Sequence, residues 1–435
     1  MNSSRNVSKP KSKMRRMTIE ESLQTRERVS PVKKKLVKFG AVLLLLVITG
    51  LIAFVLEELI FKFVVEDTPR QKIEKSCEKR VIAYYGLWST VLTTMGQLSR
   101  ITHLIFQPLI VTTDGLVSFQ NSKEQMKFEE VNKLARSFKV KTMFSMDLAE
   151  IPDNAILKKR FMFSYSVNDK EGRGKLISSI ISFLHKHQLD GVEFNWLGPI
   201  SKKNSTLLPI LCQEVRREMT NFAKAIGMDS QLLLSVEYSD QRQTDFDFGK
   251  VLQFVDFISV DTTNYHFRST STDFTIAGSP LYSSSGSVDK TMKTLICLTK
   301  KPTQLNIMVN FYGYSWKNVT VSESGKLVTT RHIKGADVGA IKVWKSLKND
   351  WDVSSYSWNN ETKLPYIWNP ENRTYLAFEN ERSLREKMKY IREHDIGGIA
   401  ISWIVYDDSE NTLLSAVGFG GECPESFEEY NCTSS

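Results

Sequence analysis

Eight short apolar segments that alternate with helical patterns constrain the fold of this chain more than any other feature of its sequence. They are RVIAYYGLW (80–88), ITHLIFQPLIV (101–111), VKTMFSMDL (140–148), GVEFNW (191–196), LLLSVEYSD (232–240), VDFISVDTTNY (255–265), LNIMVNFYGYSW (305–316) and GGIAISWIVYDD (397–408). Between them, stretches such as KLISSIISFLHKHQ and ILCQEVRREMTNFAKAI repeat apolar residues at steps of three and four. Eight strands alternating with helices predict either a (β/α)8 barrel or a doubly wound open sheet. The first strand is not followed by a glycine-rich phosphate loop, which disfavours a nucleotide-binding open sheet.

The net charge of +9 comes from one end of the chain. Of the 58 basic and 49 acidic residues, 12 and 3 lie in residues 1–38, which leaves 46 of each sign beyond them. Binding to nucleic acid depends on clustered basic side chains that neutralise phosphates. The neutral main body therefore argues against nucleic acid as a partner.

An uncharged run of 18 residues, FGAVLLLLVITGLIAFVL (39–56), follows the basic head. At about 1.5 Å per residue a helix of this length spans about 27 Å, close to the ~30 Å hydrocarbon core of a bilayer. A cleaved signal peptide is the alternative, but its apolar region is typically about 7–15 residues long and ends at small residues. Lysines precede the run and acids follow it, which keeps the head cytoplasmic. The sequence therefore predicts a single-pass type II membrane protein, anchored in the lipid bilayer by residues 39–56, whose main body is lumenal or extracellular.

Sequons for N-glycosylation agree with this orientation, because five of them lie beyond the apolar run. They are Asn204, Asn318, Asn360, Asn372 and Asn431. Each match is weak alone, since the pattern is common by chance and also occurs at Asn2 and Asn6, before the run.

Cysteine positions also suit an oxidising compartment. Cys77 precedes the first predicted strand, while Cys423 and Cys432 follow the last. In a closed barrel the first and last strands are neighbours, so Cys77 could bridge to one of the other two. Cys212 lies in an apolar helical stretch and is expected to be a buried free thiol. With five cysteines, one must stay unpaired or bond to another chain.

The stretch LDGVEFNWLGP (189–199) places polar side chains on one face of the fourth predicted strand. Side chains alternate between faces, so Val192, Phe194 and Trp196 suit packing under helices. Glu193, Asn195 and Leu197 share the other face, which would point toward a barrel axis. Barrel interiors favour Val, Ile and Leu, so two polar side chains leading to the rim are unusual. They either bond to neighbours as structural groups or belong to a site.

The longer segment FSYSVNDKEGRGKLISSIISFLHKHQLDGVEFNWLGP resembles the core of glycoside hydrolase family 18, the chitinases and their non-catalytic relatives. The family signature is D-G-x-D-x-D-x-E. The stretches ITHLIFQPL, SPLYS, VNFYGYSW and GGIAISW match further family segments in order, so the resemblance covers about residues 78–423. In its organisation the chain is similar to the single-pass chitinase-like proteins of nematodes.

The resemblance implies an α/β fold, a (β/α)8 TIM barrel with a small insertion before strand 8, preceded by an N-terminal transmembrane helix. The expected divisions are a basic cytoplasmic head (1–38), a transmembrane signal anchor (39–56), a stalk (57–79), a chitinase-like barrel (80–423, insertion about 317–396) and a C-terminal tail (424–435).

The signature, placed residue by residue on this chain, is degenerate. Its first Asp and Gly are Asp190 and Gly191, and its second Asp is replaced by Glu193. The third Asp, which in active members orients the acetamido group of the substrate, is replaced by Asn195. The Glu, which is the general acid, is replaced by Leu197.

Three other family positions also differ. The segment Asp261–Asn264 stands where active members have Met-x-Tyr-Asp, and Met146–Leu148 stands near the family's Gly-Gly. The tryptophan of the last strand falls on Ser402, which puts Trp403 one place on and predicts that it lies on the opposite face unless a bulge re-aims it.

These replacements predict that hydrolysis fails. In the family the N-acetyl oxygen of the substrate attacks the anomeric carbon, while a carboxylic acid protonates the leaving oxygen. Such acid–base groups contribute typically ~10²–10⁴-fold to the rate. Leu197 can donate no proton, and Asn195 cannot offset the positive charge of the oxazolinium. Glu237, Asp240 and Asp261 are the acids that could substitute.

Aromatic residues near the predicted rim are the candidates for binding a sugar. They are Tyr85, Trp88, Tyr312 and Trp403, with Tyr84 and Trp316 nearby. Packing in the core is the competing interpretation for each. The displacement of Trp403 would remove the surface on which active members stack the sugar. No metal or cofactor is expected, because His185 and His187 near a helix end suit solvation or the helix dipole.

Three functions remain in competition. The first is a catalytically inactive membrane protein that binds chitin or N-acetylglucosamine-containing glycans. The second is a glycosidase that hydrolyses chitin with a substitute carboxylate. The third is a scaffold for protein interactions, since a barrel fold alone does not determine function.

Overall fold

Eight parallel strands close into a barrel, because the first strand pairs with both the second and the last. In chain order the strands are β1 (Arg80–Gly86), β2 (His103–Val111), β3 (Val117–Ser118), β4 (Lys141–Leu148), β5 (Gly191–Trp196), β6 (Leu233–Tyr238), β7 (Phe257–Val260), β8 (Leu305–Asn310), β9 (Tyr312–Trp316), β10 (Thr320–Val321), β11 (Leu327–Val328), β12 (Ala340–Val343), β13 (Ser357–Asn359), β14 (Leu364–Asn369), β15 (Thr374–Ala377) and β16 (Gly398–Ser402). The order around the barrel is β1-β16-β8-β7-β6-β5-β4-β2, and β1 also pairs with β2. The predicted (β/α)8 barrel is confirmed, and the open sheet is excluded.

The computed structural model describes part of the chain. It covers residues 48–49, 79–112, 114–148, 170–196, 206–239, 246–263, 265, 278–283, 286–321, 327–328, 340–418, 424 and 426–432. The chain divides into two compact units, residues 1–69 and 70–435. Of the predicted anchor, only Ile48 and Thr49 are described, and both are helical. Within the ranges given above, none of the helices combines the length and apolar character needed to cross a membrane.

Helices follow the barrel strands and cover their outer faces. In the same ranges they are α1 (Met95–Leu98), α2 (Ser122–Ser137), α3 (Lys170–His187), α4 (Leu207–Ala225), α5 (Phe248–Val251), α6 (Val288–Thr299), α7 (Trp344–Asp350), α8 (Glu381–Glu393) and α9 (Thr412–Ala416). The buried residues of α3 recur at steps of three and four: Leu176, Ile177, Ile180, Phe183 and Leu184. This apolar stripe explains why the segment is helical and which side faces the barrel.

The two faces of the barrel strands pack in different surroundings. Val192 and Phe194 of β5 are fully buried in the large apolar cluster outside the barrel. The inner face holds a smaller apolar cluster that includes Ile82, Met143 and Phe257. Alternation along β5 therefore sends Glu193 into the barrel interior.

The predicted strand 305–316 is wrong as a single element. β8 ends at Asn310, and the chain then enters β9, which belongs to a separate antiparallel sheet of order β12-β9-β15-β14-β13. This five-stranded sheet, together with the β10–β11 pair, occupies the chain between β8 and the last barrel strand. The apolar pattern runs through the break because residues on both sides of it are buried.

One of the two predicted disulfide partners of Cys77 is excluded. Cys432 is bonded to Cys297 of α6, so it is not available to Cys77. Cys77 and Cys423 lie outside the described residues. Cys212 is a buried free thiol, as predicted. The pairing could not be predicted from local patterns, because Cys297 lies 135 residues before its partner in the middle of a helical pattern.

Glu379 and Lys387 form an ion pair that is almost completely removed from solvent where the five-stranded sheet meets α8. Their side chains are 4% and 1% exposed, and Lys387 Nζ donates to Glu379 Oε1. Ser383 Oγ donates to the other carboxylate oxygen at 2.6 Å. Burial lowers the pKa of Lys387, and the charge of Glu379 opposes this effect. Each charge therefore depends on the other to remain buried.

Replacing Lys387 by Met is expected to lower the free energy of unfolding by about 3–5 kcal/mol, because it leaves Glu379 buried without its cation. Denaturant unfolding followed by tryptophan fluorescence measures the change. The double variant Glu379→Gln/Lys387→Met should recover most of the loss, since no charge remains at the site. Equal losses in the single and double variants would contradict this account of the pair.

Candidate functional site

The carboxyl ends of the barrel strands form a mouth whose inner wall is polar. In TIM barrels this end carries the chemistry. Glu193 lies within the barrel, and Asn195 lies two residues nearer the mouth on the same face of β5. Leu197, the next residue on this face in sequence, lies outside the described residues, as do Asp240 and Asn264.

Glu193 is fully buried and bound by neighbours that also face the barrel axis. The hydroxyl of Tyr84 donates to Oε2 at 3.2 Å, and Ser235 Oγ donates to the same oxygen at 3.0 Å. Burial, together with the nearby charge of Glu237, raises the pKa of Glu193 to about 8. The carboxyl group is therefore mainly neutral at pH 7. It is held below the mouth as a structural group of the interior.

Asn195 is fixed by a carboxylate from the neighbouring strand. Its Nδ2 donates to Asp147 Oδ1 at 3.0 Å, and the two residues are in register between β4 and β5. On its other side Asn195 is in register with Glu237 of β6. Asp147 belongs to the Met146–Leu148 segment, which departs from the family pattern. Two positions that differ from the family are therefore in contact, because the Asn195 amide is oriented by the Asp147 carboxylate.

Asp190 lies at the opposite end of β5 from the mouth. Its Oδ2 accepts from the backbone N–H of Thr142 at 2.8 Å, and its Oδ1 accepts from Lys141 Nζ at 3.1 Å. The first Asp of the signature therefore joins two strands at the amino end of the barrel.

Asp261 and Thr263 bond to each other just after β7. Asp261 Oδ1 accepts from Thr263 Oγ1 at 2.5 Å and from the Thr263 backbone N–H at 3.1 Å. Both side chains are buried. The hydroxyl proton of Thr263 is thus already donated within the protein.

The prediction that Trp403 lies on the opposite face is wrong. Its ring contacts the inward-facing ring of Tyr84 edge to face, with centroids 6.3 Å apart, and it packs against both the inner and the outer apolar clusters. Strand alternation holds only within a regular strand, and β16 ends at Ser402. The Ser402–Trp403 peptide bond is cis.

Four aromatic rings form a continuous row at the mouth, here called the aromatic row: Trp403, Trp88, Tyr406 and Tyr312. Successive centroids are 5.4, 6.2 and 6.2 Å apart. Trp88 is 48% exposed. It lies directly over Gly86, where a Cβ atom would come within 2.6 Å of the indole. Such a row offers flat apolar faces together with hydroxyl and indole N–H groups, which is the chemistry that binds sugars.

Tyr85 does not belong to the aromatic row, contrary to the prediction. It is fully buried in the outer apolar cluster, and its hydroxyl donates to the backbone oxygen of Val91 at 3.1 Å. Its neighbour Tyr84 faces the interior instead. Trp316 is buried within the five-stranded sheet.

Sequence reasoning missed two residues of the mouth. Tyr406 lies in a 3-10 helix, because the last barrel strand ends at Ser402 and not at residue 408 as its apolar pattern predicts. Asp147 lies near the end of β4, and a polar residue at the end of an apolar strand is the signal that could have identified it.

Comparisons with known proteins agree with this architecture. Residues 80–408 match the family model described as glycosyl hydrolases family 18. Chitinase A1 of Niallia circulans is 23% identical over 265 residues, which cover 54% of this chain and 37% of that protein. Mouse (Mus musculus) chitotriosidase-1 is 22% identical over 339 residues, which cover 72% and 68%. The chain therefore spans well under half of the bacterial relative.

Two solved structures share the fold. Human YKL-39, described as a pseudo-chitinase with retained chitooligosaccharide binding properties, has a TM-score of 0.64 and 18% identity, covering 78% of this chain and 98% of that one. A class V chitinase from Nicotiana tobaccum in complex with NAG4 has a TM-score of 0.66 and 16% identity, with the same coverage. At these identities the likeness concerns the fold alone.

Glu193 is expected to make stability depend on pH. An unfolded Glu ionises near pH 4.5 and the buried one near 8, so between these values the folded chain keeps a proton that the unfolded chain has lost. The stability that Glu193 contributes by keeping this proton is fully present below pH 4.5 and is lost as the pH rises to about 8. Raising the pH from about 5 to about 8 should therefore lower the free energy of unfolding more in the wild type than in Glu193→Gln, by an amount on the order of a few kcal/mol.

Denaturant unfolding of both proteins across this pH range provides the measurement. Parallel curves for the wild type and Glu193→Gln would contradict a neutral Glu193.

Proposed function

Because the chain belongs to glycosyl hydrolase family 18, we propose that its barrel binds N-acetylglucosamine oligomers of the chitin type without hydrolysing them. The observation that carries the proposal is the inner face of β5. From inside to mouth it presents a neutral, buried Glu193, then the amide of Asn195, and in sequence Leu197.

Hydrolysis needs a proton for the departing sugar oxygen, and this face does not supply it. Leu197 carries no ionisable group. Glu193 holds a proton, but it is buried below the mouth and bonded to Tyr84 and Ser235. An acid must come within about 3 Å of the oxygen that it protonates. A ligand could therefore be held at the mouth while its glycosidic bonds remain intact.

Binding is supported by the aromatic row. Buried or half-buried aromatic anchors supply much of the affinity at binding sites, and Trp and Tyr lose little conformational freedom when a ligand covers them. The Asn195 amide adds a directional polar group, and Asp147 fixes its orientation. The description of human YKL-39 shows that, in that protein, binding of chitooligosaccharides is compatible with the absence of chitinase activity.

A chitin hydrolase with a substitute carboxylate is the second candidate. Glu237 and Asp261 are both 7% exposed and lie toward the carboxyl ends of β6 and β7. Asp261 Oδ1 accepts hydrogen bonds from both the hydroxyl and the backbone N–H of Thr263, so this oxygen is already engaged within the protein. The aromatic row favours sugar binding over a role as a protein scaffold.

The proposal includes a membrane anchor at residues 39–56, with the barrel in the lumen or outside the cell. Its support is the uncharged run after the basic head, together with the sequons beyond the run. N-glycan attachment at any of the five sequons beyond the run reports this location. A chain made in mammalian cells without a glycan at any sequon would contradict it.

The purified full-length chain is expected to bind (GlcNAc)4 in titration calorimetry and to release no product from a fluorogenic chitooligosaccharide. Trp88→Ala should weaken binding at least about tenfold, since truncating a tryptophan anchor typically costs about 2 kcal/mol. Tyr85→Phe is the matched control, because Tyr85 points away from the mouth, and its affinity should equal that of the wild type.

Turnover that Glu237→Gln or Asp261→Asn abolishes would overturn the non-catalytic proposal in favour of the second candidate. An absence of heat at millimolar (GlcNAc)4, with no turnover, would favour the scaffold.

A further inference from the structure

The segment Phe427–Cys432 is fastened to two helices on both sides of Asn431. On one side, Cys432 is bonded to Cys297 of α6. On the other, the ring of Tyr430 stacks on His394 with centroids 4.4 Å apart and planes 7° apart. The Tyr430 hydroxyl also donates to Asp289 Oδ1 of α6 at 3.1 Å. The segment is held along α6 and just beyond the end of α8, and it is named here the C-terminal strap.

Asn431 heads the sequon Asn431-Cys432-Thr433, and the structure shows that the middle residue of this sequon is a disulfide cysteine. The Asn431 side chain is exposed. Two covalent modifications therefore fall on adjacent residues of the C-terminal strap.

We propose that formation of the Cys297–Cys432 disulfide prevents glycosylation of Asn431, so that the two modifications compete for the C-terminal strap. The inference rests on the proposed lumenal location of the barrel. It does not depend on what the barrel mouth binds.

The two reactions are chemically independent but need the strap in different states. In glycosylation the Asn431 amide nitrogen bonds to C1 of a lipid-linked oligosaccharide and loses one proton, and the lipid diphosphate leaves. In disulfide formation the two thiols lose two protons and two electrons, which reduce a protein disulfide of the oxidising compartment to a dithiol. Neither product prevents the other reaction by its chemistry.

Access creates the competition. A transferase must take the Asn and the Thr of a sequon into its active site together, which requires a backbone segment that can leave the protein surface, as in proteolysis. Once Cys432 is bonded to α6, the residue between Asn431 and Thr433 is tethered. Tyr430 restrains the preceding residue. The exposed Asn431 then remains visible to solvent but cannot enter an enzyme cleft.

Chain order favours the disulfide. Cys297 precedes Cys432 by 135 residues and lies in α6, so it enters the lumen first. Domains fold from the amino end as they are made, and α6 can therefore be in place when Cys432 arrives. Asn372 provides a contrast, because it is exposed in the turn between β14 and β15 and its sequon, Asn-Arg-Thr, contains no cysteine.

Glycan occupancy in the full chain tests the inference. The wild type, Cys297→Ser and Cys432→Ala are made in mammalian cells, and occupancy at each sequon is measured by mass spectrometry of peptides after enzymatic deglycosylation in ¹⁸O water. Both variants keep a complete sequon at Asn431. Low occupancy at Asn431 is expected in the wild type, with a severalfold rise in both variants and no change at Asn372.

Two controls separate the disulfide from general destabilisation. Lys387→Met weakens α8 without touching the disulfide, and Cys212→Ala removes a buried free thiol. Neither should raise occupancy at Asn431. A similar rise in the controls, unchanged occupancy in both disulfide variants, or high occupancy in a wild-type chain whose disulfide is intact would overturn the inference. A chain without a glycan at any sequon would overturn it together with the proposed location.

Discussion

A carboxyl group fully buried inside the barrel is the constraint on which the interior depends. Glu193 is stable there because it is neutral at pH 7 and because Tyr84 and Ser235 bond to it. An ionised carboxylate without partners would cost several kcal/mol in such a place. The surrounding strands must therefore present polar side chains toward the axis. This requirement explains why Ser235 and Tyr84 occupy positions that aliphatic residues fill in other barrels.

The burial of Glu193 also bears on the difference between binding a sugar and hydrolysing it. Glu193, the carboxyl residue of β5, is bonded to Tyr84 and Ser235 inside the barrel. The polar group of β5 nearer the mouth is the Asn195 amide, which donates to Asp147. Above them the aromatic row offers flat faces to a ligand. In the proposed function, the oriented amide and the aromatic rings recognise a sugar, and Leu197 leaves β5 without the acid that family 18 hydrolysis requires.

Much of the architecture could be predicted from the sequence, because strand and helix periods are local signals. The alternation of strands with helices and the inward face of β5 follow from them, whereas the family resemblance was needed to favour a barrel over an open sheet. Features set by distant contacts could not be predicted in this way. Alternation does not extend past the end of β16, so it misplaced Trp403. Tyr84 and Tyr85 are adjacent, so they lie on opposite faces of β1, and the pattern alone does not say which face is inner. Tyr85, predicted to bind a sugar, points outward. The partner of Cys432 is distant in sequence and close only in the folded chain.

The fate of a bound oligomer tests the non-catalytic site most directly. The full-length chain is incubated for a long period with (GlcNAc)4 in H₂¹⁸O, and the bound sugar is then recovered and analysed by mass spectrometry. An intact tetramer without ¹⁸O beyond the exchange seen in a protein-free control is the predicted result. Shorter oligomers that carry ¹⁸O above that control at the new reducing end would show that a proton donor operates at the mouth, and they would contradict the account.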